Sequence, residues 1–238
     1  MQTLYKELSS YFKYFADFHV ETEQEIKVLD RIFKKHKARS VLDVACGVGR
    51  HSIALAKLGY KITGIDYSPY QISEAKKWAQ KEKIRVNFLK LNANKFKFLN
   101  RFDAAICMWS TLGEEPMQYE KVIKNVFDSL KKNGIFFIDN RSWADIPKSR
   151  EGIIRNKFID RKKDLELTHI MHDRYTDNFR VRDIIYTING KKYKDLAITR
   201  IIRPKEWIEE FKKAGFKKCR ILKSQNKKRL SVFIVAEK

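Results

Sequence analysis

Apolar residues follow two rhythms along this chain, and they change places near residue 150. Before it, short apolar runs alternate with segments of helical spacing. Glu21–Lys35 brings Ile26, Leu29, Ile32 and Phe33 onto one helical face. Val41–Ala45 is a buried-strand run interrupted only by Asp43. Arg50–Leu58 returns to helical spacing, and Lys61–Ile65 is a second strand closed by Asp66. Ser68 is placed to cap the next helix, with Pro69 at its first position. Val86–Leu91, Phe102–Met108 and Ile135–Asp139 read as three more strands. Met117–Leu130 reads as a helix that Lys131-Lys132-Asn133-Gly134 closes with cations and a glycine. Such alternation predicts an α/β fold, a doubly wound parallel sheet with ligands at the carboxyl ends of its strands.

Beyond residue 150 the helical rhythm stops. Ile153–Ile159, Leu165–Met171, Arg180–Ile188 and Tyr193–Arg200 are short alternating segments, and Asn189-Gly190 is a hairpin tip between the last two. Residues 151–202 therefore predict a small antiparallel β insert. Pro204–Ala214 is a helix ended by Gly215, and Lys217–Leu222 with Leu230–Ala236 forms a final hairpin around Asn226–Arg229. A chain of 238 residues suits a single domain, 1–238, carrying the insert as an elaboration.

Chemistry concentrates in residues 40–66. Cys46-Gly47-Val48-Gly49 turns the chain between strand and helix, where glycine permits positive φ and close backbone approach to a ligand. The helix start offers free N–H groups, and Asp66 stands where a carboxylate accepts ribose hydroxyls. A dinucleotide site wants G-x-G-x-x-G; here the third position is Ser52. Asp43, four residues before Gly47, would repel a pyrophosphate and attract a ligand bearing an ammonium and a sulfonium, the two charges of S-adenosylmethionine. Asp43-Val-Ala-Cys46-Gly47-Val-Gly49 resembles the first motif of the class I S-adenosylmethionine-dependent methyltransferases.

The resemblance extends over nearly the whole chain. Gly49–Ser68 fits the run G-R-H-S-x-x-L-A-x-x-G-Y-x-V/I-T-G-I-D-x-S of small bacterial and archaeal methyltransferases, and Glu21-Thr22-Glu23-Gln24-Glu25 approximates their upstream helix. The β insert before the last helix is similar to that of glycine, sarcosine and amino-sugar N-methyltransferases. The resemblance implies a Rossmann-like fold, a seven-stranded mostly parallel sheet with an antiparallel final hairpin. It implies S-adenosylmethionine as cofactor, its methionine end against Asp43, Cys46, Gly47 and Gly49 and its ribose on Asp66. Adenine would lie between Tyr67 and Asn92-Ala93, where the family usually has Asp-Ala, and Met108 and Trp109 would line the methyl-donor pocket. The insert would form a lid over the acceptor site.

Methyl transfer from a sulfonium is an in-line displacement, which needs alignment and a water-poor pocket more than covalent help. An oxygen acceptor would need a base. His51, His169 and His172 are candidates, His169 and His172 with an ordinary half-buried or solvated histidine as the competing reading. Tyr5, Tyr11 and Tyr14 either close over the cofactor or form a packing stripe. No Asp/Asn-Pro-Pro-Tyr run follows the fourth strand and no Pro-Cys pair exists, which disfavours nucleic-acid base methylases of those types. The expected acceptor is a small molecule, methylated on nitrogen or oxygen.

The net charge of +22 keeps a second reading open, a tRNA or rRNA methyltransferase using a basic surface. Lysine pairs dominate the excess, however, and lysine-rich solvated faces need no polyanion. No apolar run approaches the ~18–20 residues that span a bilayer, and the N-terminus lacks a signal-peptide core. Cys46, Cys107 and Cys219 show no paired or metal-binding spacing. These features predict free thiols, no metal, a cytoplasmic protein without membrane contact, and a monomer or homodimer.

Overall fold

The computed structural model describes residues 5–14, 18–141, 152–176, 178–223 and 231–238. Its larger sheet has seven strands: β1 Ser40–Val44, β2 Lys61–Asp66, β3 Asn87–Lys90, β4 Phe102–Cys107, β5 Leu130–Arg141, β10 Lys218–Lys223 and β11 Ser231–Glu237, in the order β10-β11-β5-β4-β1-β2-β3. β1 pairs in parallel with β2 and β4, β2 with β3, and β4 with β5. β11 runs antiparallel to both β5 and β10. This is the expected Rossmann-like sheet with its antiparallel final hairpin; the hairpin tip expected at Asn226–Arg229 lies outside the described residues.

Helices cover both faces, so the central strands are buried on both sides and their sequences read as nearly continuous apolar runs. Leu42, Val44, Ala105, Cys107, Phe136 and Ile138 point toward α4 (Tyr119–Ser129) and α5 (Pro204–Ala214), where they meet Val122, Val126, Trp207 and Phe211. The intervening Val41, Ala104, Ile106, Ile135 and Phe137 point toward α1 (Phe18–Lys35) and α2 (Arg50–Lys57), meeting Leu29, Phe33 and Leu55. α3 (Pro69–Lys81) starts as its sequence signals, Ser68 Oγ accepting from Gln71 N–H behind Pro69. No helix among the described residues is long and apolar enough to cross a membrane.

One boundary differs from expectation. Lys131–Gly134 does not close the helix: α4 stops at Ser129, Leu130 turns extended and pairs with Phe102, and the four residues belong to β5. The register shifts between Phe102 and Ala104, and Asn133 sits at φ 63°. The extra residues are taken up as an irregularity within the strand, so the glycine serves a bulge and not a helix cap.

Between β5 and α5 stands a separate four-stranded antiparallel sheet, β6 Gly152–Asp160, β7 Leu165–Tyr175, β8 Phe179–Ile188 and β9 Lys191–Arg200, paired in sequence order. Asn189 and Gly190 take φ 46° and 81° at the β8–β9 tip, both positive as a two-residue hairpin demands. One face of this sheet packs Leu165, Leu167, Met171, Ile184, Tyr186, Ile188 and Ala197 against Leu8 and the half-buried Tyr5, Tyr11 and Tyr14. The insert and the N-terminal segment thus share a core.

Candidate active site

β1 is the central strand, and the chain leaves it first toward β2 and β3, then returns to build β4 and β5 on its other side. The carboxyl ends of β1 and β4 diverge there, which opens a crevice at the topological switch point. A cavity fills it. Loops after β1, β2, β3 and β4 supply its walls, including Asp43, Gly47, Asp66, Ala93 and Met108.

Backbone geometry prepares the walls. Ala45 at φ 56°, Gly47 at 55° and Gly49 at 83° make a left-handed turn after β1, and Trp109 and Ser110 at 69° and 57° make another after β4. Non-glycine residues in this region carry strain of order 1–3 kcal/mol each. The two glycines differ in purpose. Gly47 lines the cavity, whereas a Cβ on Gly49 would come within 2.7 Å of Phe88 Cζ, so Gly49 is the contact where helix packs on sheet.

Carboxylates hold the turn. Asp66 Oδ2 accepts Gly47 N–H at 3.0 Å and Oδ1 accepts Ser68 N–H at 2.9 Å, tying the β2 tip to the turn after β1. Asp43 accepts the Ser52 hydroxyl at 2.6 Å, and Asp139 accepts Ser110 N–H at 3.0 Å, fixing the turn after β4. Burial pushes Asp43 up to about 7, against the Ser52 bond and the Arg50 charge; it pushes Asp66 up to about 6, against backbone N–H bonds from Ser68, Gly47 and Tyr67.

Beneath lies an ionic network from α1 and α2. Glu25 Oε2 meets His51 Nε2 at 2.8 Å and Arg50 at 3.2 Å, and Arg50 also donates to Thr22 Oγ1. The Arg50 guanidinium lies 4.6 Å from the Trp109 ring centroid. Burial first, then Arg50, lowers the His51 pKa against the opposing pull of Glu25.

The cavity gathers most of the candidates named from sequence: Asp43, Cys46, Gly47, His51, Asp66, Tyr67, Asn92, Ala93, Met108 and Trp109 all line it. Asn92 Oδ1 accepts Asn94 N–H at 2.8 Å in a local turn, leaving less of it for a ligand. Gly49, His169 and Tyr11 are not in the lining. His169 stacks on Tyr186 within the insert at 5.0 Å, and burial with the Arg182 charge lowers its pKa to about 4. Tyr11 packs on the insert core, whereas Tyr5 reaches the cavity. Arg50 and Glu25 stood inside the quoted motifs without being singled out. Glu114, on the loop after β4, carried no sequence signal at all.

The fit to a sulfonium cofactor follows from charge. Among the described residues the lining offers four carboxylates (Asp43, Asp66, Glu114, Glu115), one guanidinium and no lysine. A pyrophosphate has no cradle there, and a ligand bearing positive charge has several.

Residues 41–134 match the methyltransferase domain family. A glycine/sarcosine N-methyltransferase from Parasynechococcus marenigrum is 31% identical over 148 residues, 59% of this chain and 51% of that protein. The chain spans about half the length of the curated relatives it matches. An S-adenosylmethionine-dependent methyltransferase from Clostridium acetobutylicum superposes with a TM-score of 0.78 at 16% identity, covering 98% of both chains. The sugar N-methyltransferase KedS8 from a Streptoalloteichus species superposes at 0.80, also at 16% identity, covering 96% of this chain and 90% of its own. Similarity at that identity shows the fold. Residues 41–134 thus match a methyltransferase domain by sequence, and the β3-β2-β1-β4-β5-β11-β10 sheet built around them has the fold of the S-adenosylmethionine-dependent methyltransferase structures on which it superposes.

Proposed function

We propose that this protein transfers a methyl group from S-adenosylmethionine to nitrogen or oxygen of a small molecule held between the strand tips, the N-terminal segment and the insert. The observation that carries the reading is the acidic cavity at the β1/β4 switch point, with Tyr5 reaching it from a segment packed on the insert. S-adenosylmethionine supplies an electrophilic methyl on a sulfonium. Asp43 faces its ammonium end across the Gly47 turn, Asp66 accepts from the ribose, and Asn92-Ala93 bounds the adenine. Met108 and Trp109 wall the methyl end, and the strained turn at Trp109-Ser110 is held by Asp139. The protein contributes alignment and exclusion of water, the factors on which in-line displacement depends.

The insert is the lid of this site. Its attachment supports that role: Glu114 bridges to Thr199 of β9, Glu115 N–H donates to Ile198 O at 3.0 Å, and Asn140 donates to Ile202 O at 3.0 Å. The +22 charge supports a second reading, RNA as acceptor, but the cavity has the opposite sign to the chain as a whole. Labelled S-adenosylmethionine, incubated with the protein and either a small-molecule extract or tRNA and rRNA, separates the two. Label is expected in the small-molecule fraction. Label in RNA replaces the first reading with the second, and absence of S-adenosylhomocysteine binding in calorimetry removes both.

A further inference from the structure

Two carboxylates of the cavity, Glu114 and Glu115, are left over once a donor has been assigned to Asp43 and Asp66. Glu114 stands on the loop after β4, and three separated parts of the chain converge on it. Tyr5, from the N-terminal segment, donates its phenol to Glu114 Oε2 at 3.4 Å. Ser68, at the head of α3, donates its hydroxyl to the Tyr5 carbonyl, which anchors that tyrosine over the β2 tip. Thr199 of β9 forms an isolated antiparallel bridge with Glu114. Tyr67 lines the same cavity. The phenols of Tyr5, Tyr67 and Tyr186 are pushed up by burial first, and all three also feel the charge of Glu114; Asp195 adds to it at Tyr67 and Tyr186. Arg200 pairs with the neighbouring Glu115, 3.7 Å away.

We propose that Glu114, flanked by Tyr5 and Tyr67, is an ammonium subsite, so that the acceptor of this enzyme is an aliphatic amine. The inference rests on the proposed methyl-transfer reading of the cavity and names its acceptor class. A carboxylate beside phenols in a cavity wall offers an ammonium a charge-assisted hydrogen bond and further phenol oxygens as acceptors. A carboxylate or phosphate acceptor meets repulsion at the same place, and a neutral alcohol gains no charge-assisted bond. The subsite also handles the proton: R–NH3+ and the Glu114 carboxylate become R–NH2 and a carboxylic acid. That leaves the nitrogen lone pair that attack on a methyl carbon requires, and the acid returns its proton to solvent when product leaves.

The probe is methylammonium chloride, applied to the full chain saturated with S-adenosylhomocysteine. Sodium chloride at matched ionic strength and methanol are the controls, and the melting temperature is the readout. Methylammonium is expected to raise it by about 1–3 °C at tens of millimolar, and neither control to do so. Glu114→Gln is expected to bind S-adenosylhomocysteine within about twofold of wild type and to lose the methylammonium shift. Should that variant not fold, Glu114→Asp withdraws the carboxylate by one methylene, and the shift must then shrink. A wild-type shift that is absent or matched by methanol or sodium overturns the proposal, as does a full shift in whichever variant folds. Failure of wild type to bind S-adenosylhomocysteine overturns the methyl-transfer reading instead, and the two failures are thereby distinguished.

Discussion

The two sheets treat buried carboxylates in opposite ways. At the tips of the parallel strands, Asp43 and Asp66 accept from a hydroxyl and from backbone N–H groups, and burial leaves them at about 7 and about 6. In the insert, Asp173 is also buried, but Arg182 grips it with two bonds of 2.5 and 2.6 Å. Burial is the largest single influence and raises the Asp173 pKa, but the Arg182 bond and charge, with Arg180 and Tyr175, together outweigh it, and the net shift is downward. A guanidinium spends the carboxylate's charge within the fold. Neutral donors orient a carboxylate and leave its charge for a cationic ligand. Burial alone therefore does not mark a binding acid; burial matched by neutral donors, in a cavity wall, does.

The largest expected effect tests the place where the parallel half does use an ion pair. Glu25→Ala strips the carboxylate from buried Arg50 and His51. Breaking such a pair from one side costs about 3–5 kcal/mol, and guanidinium unfolding should show it. The loss should reach the cavity too, because Arg50 and His51 both line it, and S-adenosylhomocysteine affinity should fall with stability. Arg182→Ala makes the corresponding change in the insert. The Arg182 side chain is 15% exposed, so water can reach part of the orphaned site, and about 2–3 kcal/mol is expected. Here cofactor affinity should stay within about twofold, as the pair is outside the donor half of the cavity. A tenfold loss in calorimetry would erase the distinction between the two regions.

Asp66→Ala addresses the neutral-donor class directly. Stability should fall modestly, because removal of the desolvated acid leaves the Gly47 and Ser68 N–H groups without their acceptor. Affinity for S-adenosylmethionine should drop by about 1–3 kcal/mol through the lost charge-assisted ribose bonds. Wild-type affinity in titration calorimetry would withdraw Asp66 from the ribose.

Asp66 was legible in the sequence because it closes an apolar strand run next to a glycine turn, and both are local patterns. The parallel strands were legible for the same reason: burial on both faces leaves runs such as Val41–Val44 with one polar interruption, and that interruption, Asp43, lines the cavity. The hairpin at Asn189-Gly190 announced the insert through backbone chemistry. Glu114 was not legible, because its partner Tyr5 is 109 residues away and the third contact comes from β9. A carboxylate in a loop has no local signal; only the packing of the N-terminal segment on the insert gives it a role. The misread Lys131–Gly134 shows a different limit. Cations and a glycine after a helix suit a cap, yet cross-strand pairing of Leu130 with Phe102 claimed the segment for β5.

The smallest expected effect is the pH dependence that follows from the same neutral-donor acids. Asp43 and Asp66 titrate higher in the folded chain than in the unfolded one, where a carboxyl lies near 3.8. Between those values the folded state holds protons that the unfolded state has released. Their contribution to stability is complete below about pH 4 and is lost as pH rises through about 6 and about 7. Asp103 acts in the other direction: burial opposes ionisation there, but Lys131 and the N–H groups of Ser40 and Arg39 outweigh it, so its contribution is present above about pH 4 and lost below. The windows do not overlap, and ligand-free protein should therefore lose stability in urea between pH 5 and pH 7.5 on account of the cavity acids. A bound sulfonium reverses the sign, because a cation beside these carboxylates favours their ionised form. Binding of S-adenosylmethionine between pH 5.5 and 7 should release protons, visible as a dependence of calorimetric heat on buffer ionisation enthalpy, and affinity should rise by about tenfold or less across that interval. S-adenosylhomocysteine, which lacks the sulfonium charge, should show the smaller release. Equal release by the two ligands would mean that the ammonium end they share, and not the sulfur, sets the ionisation of the cavity carboxylates, and release by neither would make the charge of the parallel half as internal as that of the insert.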